Sequence, residues 1–187
     1  MKKVFIIHRW DGNPESDFYP WLKNELEKNN FEVIIPNMPE SSEPKIKKWV
    51  SYLNKIVKNV DKDTYFVGHS IGCQTILRYL GKIGGKIGGC VFVAGWFSLT
   101  NLETEEEKEI AKPWLETPIN FEKVKSKTKN FIAIFSDDDP FVPLKNANIY
   151  KEKLGAKIII EKNQGHFNIN KVESVLKSLL SFSKQQE

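Results

Sequence analysis

Six short runs rich in β-branched and aromatic residues, at 3–7, 31–36, 64–67, 90–94, 130–135 and 157–161, alternate with longer amphipathic stretches. This rhythm restricts the fold more than any other feature, because strands separated by helix-length segments pair in parallel through crossover helices. Gly89-Cys90-Val91-Phe92-Val93-Ala94 is apolar almost without interruption. That pattern suits a strand covered on both faces, whereas a half-exposed strand would alternate. The helices are expected near 17–29, 44–59, 71–81, 145–154 and 170–183. In the first, Phe18, Trp21, Leu22 and Leu26 recur at helical spacing, with Asp17 as the expected N-cap. The expectation is an α/β fold, a three-layer doubly wound sheet in one domain spanning 1–187, a length that a single core can fill.

Composition narrows the function classes. The opening Met1-Lys2-Lys3-Val4-Phe5-Ile6-Ile7 has the lysines of a secretion signal, but its apolar run is too short and no small-residue cleavage site follows. No later run approaches a membrane-spanning length, so a cytoplasmic protein without membrane insertion is expected. Cys73 and Cys90 fall in a helix start and an apolar strand, as small core residues do, and neither has metal-ligand spacing. The net charge is +4, yet the lysines are scattered and Arg9 and Arg78 are the only arginines, so no nucleic-acid partner is expected.

Residues 82–89 read Lys-Ile-Gly-Gly twice. A phosphate-binding loop would open a helix, whereas this duplication precedes a strand and reads as a flexible turn. A longer insert, about residues 96–128, carries the acidic run Glu103 to Glu109 and then Pro113-Trp114-Leu115. It reads either as a small helical cover over a pocket or as a solvated surface excursion.

Gly68-His69-Ser70-Ile71-Gly72 follows the apolar run Thr64-Tyr65-Phe66-Val67 and precedes the helical stretch Cys73 to Leu80. A Gly-x-Ser-x-Gly sequence between strand and helix is the nucleophile elbow: a sharp turn that strains the serine backbone and leaves no room for side chains at the flanking glycines. Ser70 is therefore the candidate nucleophile. A serine hydroxyl needs a base, and three histidines are available. His69 lies inside the elbow and His8 ends the first strand, which leaves His166, in Gly165-His166-Phe167 just after the last strand. The chain order Ser, acid, His places the acid after the preceding strand, in Ser136-Asp137-Asp138-Asp139-Pro140. Three carboxylates compete there for one role. For the oxyanion, backbone amides are expected from Ile71 and from the loop after the first strand, with Trp10 as the candidate.

Taken together, these motifs make the chain similar to the small α/β serine hydrolases related to retinoblastoma-binding protein 9 and the bacterial YdeN-like proteins. The resemblance spans nearly the whole chain. It rests on the His8 loop with Pro14-Glu15-Ser16 and Phe18-Tyr19-Pro20-Trp21-Leu22, the elbow, Val93-Ala94-Gly95, Asp138-Asp139-Pro140-Phe141-Val142-Pro143, and Gly165-His166-Phe167. The match at Asp-Pro-Phe-Val-Pro assigns the acid to Asp139, with Asp138 the alternative and Asp137 a loop-stiffening residue. It also implies a trimmed hydrolase fold with strand order 2-1-3-4-5-6 and little or no cap. Relatives often carry glycine where this chain has Arg9. Arg9 is then a cation for substrate, the partner of a carboxylate such as Asp11, or a side chain pointing to solvent.

The resulting expectation is a serine hydrolase cleaving carboxylic esters, or amides or thioesters, through an acyl-enzyme, with a small-molecule acyl substrate and neither cofactor nor metal. Arg9, Trp96, Phe97, Trp114 and Phe167 are candidates for lining its pocket. The alternative is a protein-binding module that keeps a hydrolase scaffold.

Overall fold

A computed structural model describes residues 1–184. All six expected strands form: β1 (Lys2–Ile7), β2 (Phe31–Ile34), β3 (Thr64–His69), β4 (Gly89–Val93), β5 (Phe131–Ser136) and β6 (Lys157–Glu161). They make one sheet in the order β2-β1-β3-β4-β5-β6, every pair parallel. The five expected helices are α1 (Tyr19–Lys28), α2 (Ile46–Ile56), α3 (Ile71–Leu80), α6 (Lys145–Leu154) and α7 (Glu173–Lys184). The insert adds α4 (Glu105–Glu116) and the short α5 (Phe121–Lys125). No helix among the described residues is long and apolar enough to cross a membrane.

The layers follow from burial. Every residue of β3, β4 and β5 is buried, as continuous apolar runs require. α1 and α7 cover one face, while α2, α3, α5 and α6 cover the other. β6 reads in sequence like an interior strand but lies at the edge, where Ile160 is 53% exposed between Lys157 and Glu161. Flanking charges protect such an edge from further pairing. β2 leaves the first crossover on one side of β1, and β3 returns on the other, so the strand order reverses between β1 and β3. A crevice opens at such a switch point, above the carboxyl ends of the strands.

One sequence-level expectation fails. Asp17 does not cap α1; Phe18 occupies the N-cap with no side-chain hydrogen bond, and Pro20 enters the first turn. Asp17 instead has φ 52°. Its Oδ2 accepts from Arg9 Nε at 2.7 Å, and its Oδ1 accepts from Asn168 Nδ2 at 3.2 Å. A tertiary ion pair has overridden a local capping preference.

Two buried histidines tie the loops above the sheet together. His8 Nε2 accepts the Met38 amide at 3.0 Å, so its proton sits on Nδ1 and is donated to the Arg9 carbonyl, 2.8 Å away. His69 uses the other tautomer. Its Nε2–H donates to the His166 carbonyl at 2.8 Å, and its Nδ1 accepts the Tyr19 hydroxyl at 2.7 Å. That hydroxyl in turn accepts the Arg9 amide at 3.1 Å. The chain of bonds joins the β1, β3 and β6 loops. Burial pushes the pKa of both rings down, that of His69 strongly. The Asp17 carboxylate lies 3.7 Å from His69 Nδ1 but is neutralised by Arg9, so the ring stays uncharged.

A base whose folded pKa is depressed contributes stability that is whole above its unfolded value, about 6.5, and is lost as the pH falls below it, because the unfolded chain then takes up protons. The urea midpoint is therefore expected to fall between pH 7.5 and pH 5, and His69→Asn is expected to flatten that fall. A wild-type midpoint constant over this window would contradict neutral burial of the two rings.

Candidate active site

The elbow stands where β3 enters α3. Ser70 has φ 55° and ψ −120°, a conformation that costs an L-residue of the order of 1–3 kcal/mol and persists only where its surroundings enforce it. The flanking glycines enforce it. A Cβ at Gly72 would lie 2.2 Å from the Ile7 carbonyl oxygen and 2.8 Å from that of His8. A Cβ at Gly68 would lie 2.7 Å from both Cα and N of Cys73. α3 can thus press its first turn onto the end of β1. The Ser70 amide is fixed by the Val93 carbonyl at 2.8 Å.

His166 arrives on the loop after β6. Its Nδ1 meets Asp139 Oδ2 at 2.8 Å, with the histidine side chain 11% and the aspartate side chain 2% exposed. The other oxygen of Asp139 accepts the amides of Phe141 (2.9 Å) and Val142 (3.1 Å). Hydrogen bonds therefore occupy both carboxylate oxygens, and one is aimed at the imidazole. The neighbouring aspartates have different tasks. Asp138 Oδ1 accepts the Ser136 hydroxyl at 2.6 Å and the Gly165 amide at 2.8 Å, donors that hold its carboxyl below the usual carboxylate range. Asp137 Oδ1 accepts the Asn163 amide at 2.9 Å. Both brace the 163–165 loop, directly before His166, against the end of β5.

Ser70 and His166 line one cavity of about 500 Å³. Arg9, Trp10 and Asp11 wall it on the β1 side, and Phe141 joins them beside the His166 ring, edge-on at 5.5 Å. The opposite wall comes from the insert through Leu99, Leu102, Glu106 and Ile110. The insert thus supplies one wall of a pocket. α4 is well built for this: Thr104 and Glu107 form a reciprocal capping box at its N-terminus. At its other end, the buried Arg78 of α3 donates through Nη2 to the carbonyls of Trp114 (2.9 Å) and Thr117 (2.8 Å). A cation at a helix C-terminus opposes the partial negative charge there, and burial lowers the Arg78 pKa to about 10.

Of the aromatic residues expected in this pocket, Trp96 lines it and also donates from Nε1 to Ser70 Oγ at 3.2 Å. The other three do not. Phe97 packs against Phe121 and Tyr150, with ring centroids at 5.5 and 5.0 Å. Phe167 is fully buried in the core. Trp114 lines a second cavity of about 490 Å³, which shares Glu106 and Ile110 of α4 with the first, and bonds the Pro44 carbonyl at 2.9 Å. Arg9 does line the cavity, but it pairs with Asp17 instead of Asp11. The wall residues that sequence reasoning missed, Leu99, Leu102 and Ile110, carried a weak signal: they are isolated apolar side chains in an otherwise acidic stretch.

Known proteins are similar to this chain in sequence and fold. YdeN of Bacillus subtilis (strain 168), classed as a hydrolase, is 28% identical over 169 residues, covering 89% of this chain and 86% of its own. The serine hydrolase RBBP9 of Rattus norvegicus is 26% identical over 168 residues, covering 88% and 87%. The crystal structure of the ydeN gene product superposes with a TM-score of 0.89 at 27% identity, over 98% of this chain and all of that one. A family model described as serine hydrolase matches residues 4–178, and the chain belongs to that family.

Proposed function

We propose that this hydrolase cleaves carboxylic esters through an acyl-enzyme, using Ser70, His166 and Asp139 as its triad. The observation that carries the reading is the 2.8 Å contact between His166 Nδ1 and the buried Asp139 carboxylate, on a ring that shares its cavity with Ser70. A carboxylate on Nδ1 keeps Nε2 free to accept the serine proton and stabilises the imidazolium that results. Ser70 attacks the acyl carbon, His166 carries the proton to the leaving alcohol, and water repeats the sequence to release the acid. The oxyanion falls to the Ile71 amide, at the positive end of α3, and to that of Trp10. Geometry supports Trp10 because the Arg9 and Asp11 amides on either side are committed to the Tyr19 hydroxyl and the Ser41 carbonyl. Thioesters and amides share the same chemistry and are secondary substrates in this reading.

The test is labelling with a fluorophosphonate. Stoichiometric modification of the wild type and none of Ser70→Ala is expected; a folded wild type that does not react would favour a binding module on a hydrolase scaffold. Asp139→Asn is expected to lower kcat by about 10⁴-fold through loss of the correct tautomer. Asp138→Asn keeps a carbonyl acceptor for Ser136 and Gly165, and a far smaller loss is expected. The reverse ranking would make Asp138 the acid.

The cavity lies at the small end of the ligand-site range, and its walls combine Leu99, Leu102 and Ile110 with the polar Asp11 and Glu107. Short acyl chains fit it best. Across p-nitrophenyl esters, kcat/KM is expected to peak between acetate and hexanoate and to fall for dodecanoate, and a maximum at the long chains would contradict this assignment.

A further inference from the structure

We infer that Trp96 is a catalytic residue: its indole N–H, fixed on Ser70 Oγ, aims the hydroxyl proton at His166 and stabilises the charge that returns to this oxygen when the acyl-enzyme breaks down. The inference rests on Ser70 being the nucleophile.

The donor inventory gives the first half of the argument. Indole Nε1 donates and cannot accept, and it lies 3.2 Å from Ser70 Oγ. The serine proton therefore cannot point toward Trp96. With one side of the oxygen occupied by a donor, the proton is directed to an acceptor elsewhere, and His166 shares the cavity. Both partners are nearly dry, Trp96 at 1% and Ser70 at 5% exposure, so water competes poorly for either position.

The second half is that the protein constrains the backbone around this contact. Ala94, at the end of β4, has φ 46°, an unfavourable conformation for a residue with a Cβ. A Cβ on Gly95 would sit 2.1 Å from the Tyr150 hydroxyl oxygen and 3.0 Å from Cys73 Cβ, so the chain can pass only as glycine. The Trp96 carbonyl accepts Gln74 Nε2 at 3.0 Å, and Gln74 Oε1 accepts Arg78 Nη2 at 2.9 Å. The next two amides, of Phe97 and Ser98, both donate to Asn146 Oδ1, at 2.7 and 3.0 Å. Gln74 and Asn146 are fully buried. Two buried amide side chains on different helices thus clamp a strained turn whose central side chain ends on the nucleophile.

The consequence differs between the two half-reactions. In acylation the Oγ–carbon bond forms as the hydroxyl proton passes to His166 and the carbonyl electron pair moves to the oxyanion; that pair then reforms the carbonyl and expels the leaving alkoxide, which takes the proton from His166. There the Trp96 donor orients the proton but also draws density from the attacking oxygen, and the two effects oppose each other. In deacylation water adds to the acyl carbon and gives a proton to His166, the oxyanion pair reforms the carbonyl, and the Oγ–carbon bond breaks with its electron pair returning to Oγ before His166 delivers that proton. The N–H then faces growing negative charge, where a hydrogen bond is at its strongest. Removing it should slow deacylation selectively.

The experiment compares wild type, Trp96→Phe and a variant carrying benzothienylalanine at position 96, which keeps the bicyclic shape and lacks the N–H. Stopped-flow turnover of p-nitrophenyl acetate and the rate of fluorophosphonate labelling are the readouts. Both donorless proteins are expected to show a full burst of one product per site and a steady-state kcat lower by about tenfold or more. Apparent KM should fall with kcat, leaving kcat/KM and the labelling rate near wild type. Wild-type kcat in the benzothienylalanine variant overturns the inference, as does an equal fall in kcat and kcat/KM with slowed labelling, which marks a packing role. If wild type itself is not labelled at Ser70, the triad reading fails and this inference with it, a result distinct from either of the others.

Discussion

The carbonyl oxygen of Ile7 lies 2.2 Å from where a side chain at residue 72 would begin, and the site is arranged around that close approach. Gly72 lets the first turn of α3 lie on the end of β1, and Gly68 lets the chain turn within one residue of β3. The strain gathers at Ser70. What sustains it is the bulk of the fold: β3 and α3 are buried along their whole length, and each fully buried Leu, Ile or Phe contributes roughly 1.5–3 kcal/mol. Ile76, Leu77 and Leu80 on α3 alone exceed the cost of one left-handed serine. Any relaxation of Ser70 would have to lift α3 off the sheet.

The same edge concentrates other left-handed residues. Asp11, Asp17, Ala94 and Phe167 all have φ between 46° and 56° and all lie in loops at the carboxyl ends of strands or just beyond them. Each turns its chain abruptly where a gentler loop would carry the functional group away from the crevice. The buried histidines join these loops into one body, since His69 binds the His166 carbonyl on one side and reaches Arg9 through Tyr19 on the other. The residue that presents the imidazole and the loop beside the cavity are thus positioned by one uncharged ring.

Much of this was legible in the sequence for a physical reason. Strand runs and the elbow declare themselves locally, because burial on two faces and a forbidden Cβ are demands on particular residue types. Ser70 and His166 follow from that logic together with chain order. The three aspartates were not separable by chemistry; their roles depend on which amides each meets, and those belong to loops from different strands. Asp17 misled because capping propensity is a local quantity while its partners, Arg9 and Asn168, lie at opposite ends of the chain. Phe97 and Phe167 misled because position near a strand end does not reveal which face a side chain takes. The composition of Ile158-Ile159-Ile160 alone would suit an interior strand; the edge position of β6 came from the strand order that the resemblance implied.

Arg9 lies in the loop after β1, and its surroundings explain how a long side chain fits there. The residue needing a left-handed conformation in that loop is Asp11, at φ 55°, two positions further on, so Arg9 is relieved of the requirement that selects glycine. Its side chain then adds what glycine cannot. Nε bonds Asp17 at 2.7 Å and Nη1 bonds the Trp10 carbonyl at 3.0 Å, while its amide bonds Tyr19. The guanidinium spans the loop from the Trp10 carbonyl to Asp17, just before α1, and braces it. A braced loop has little ordering entropy left to lose, so the Trp10 backbone is held in place beside the cavity in the free protein.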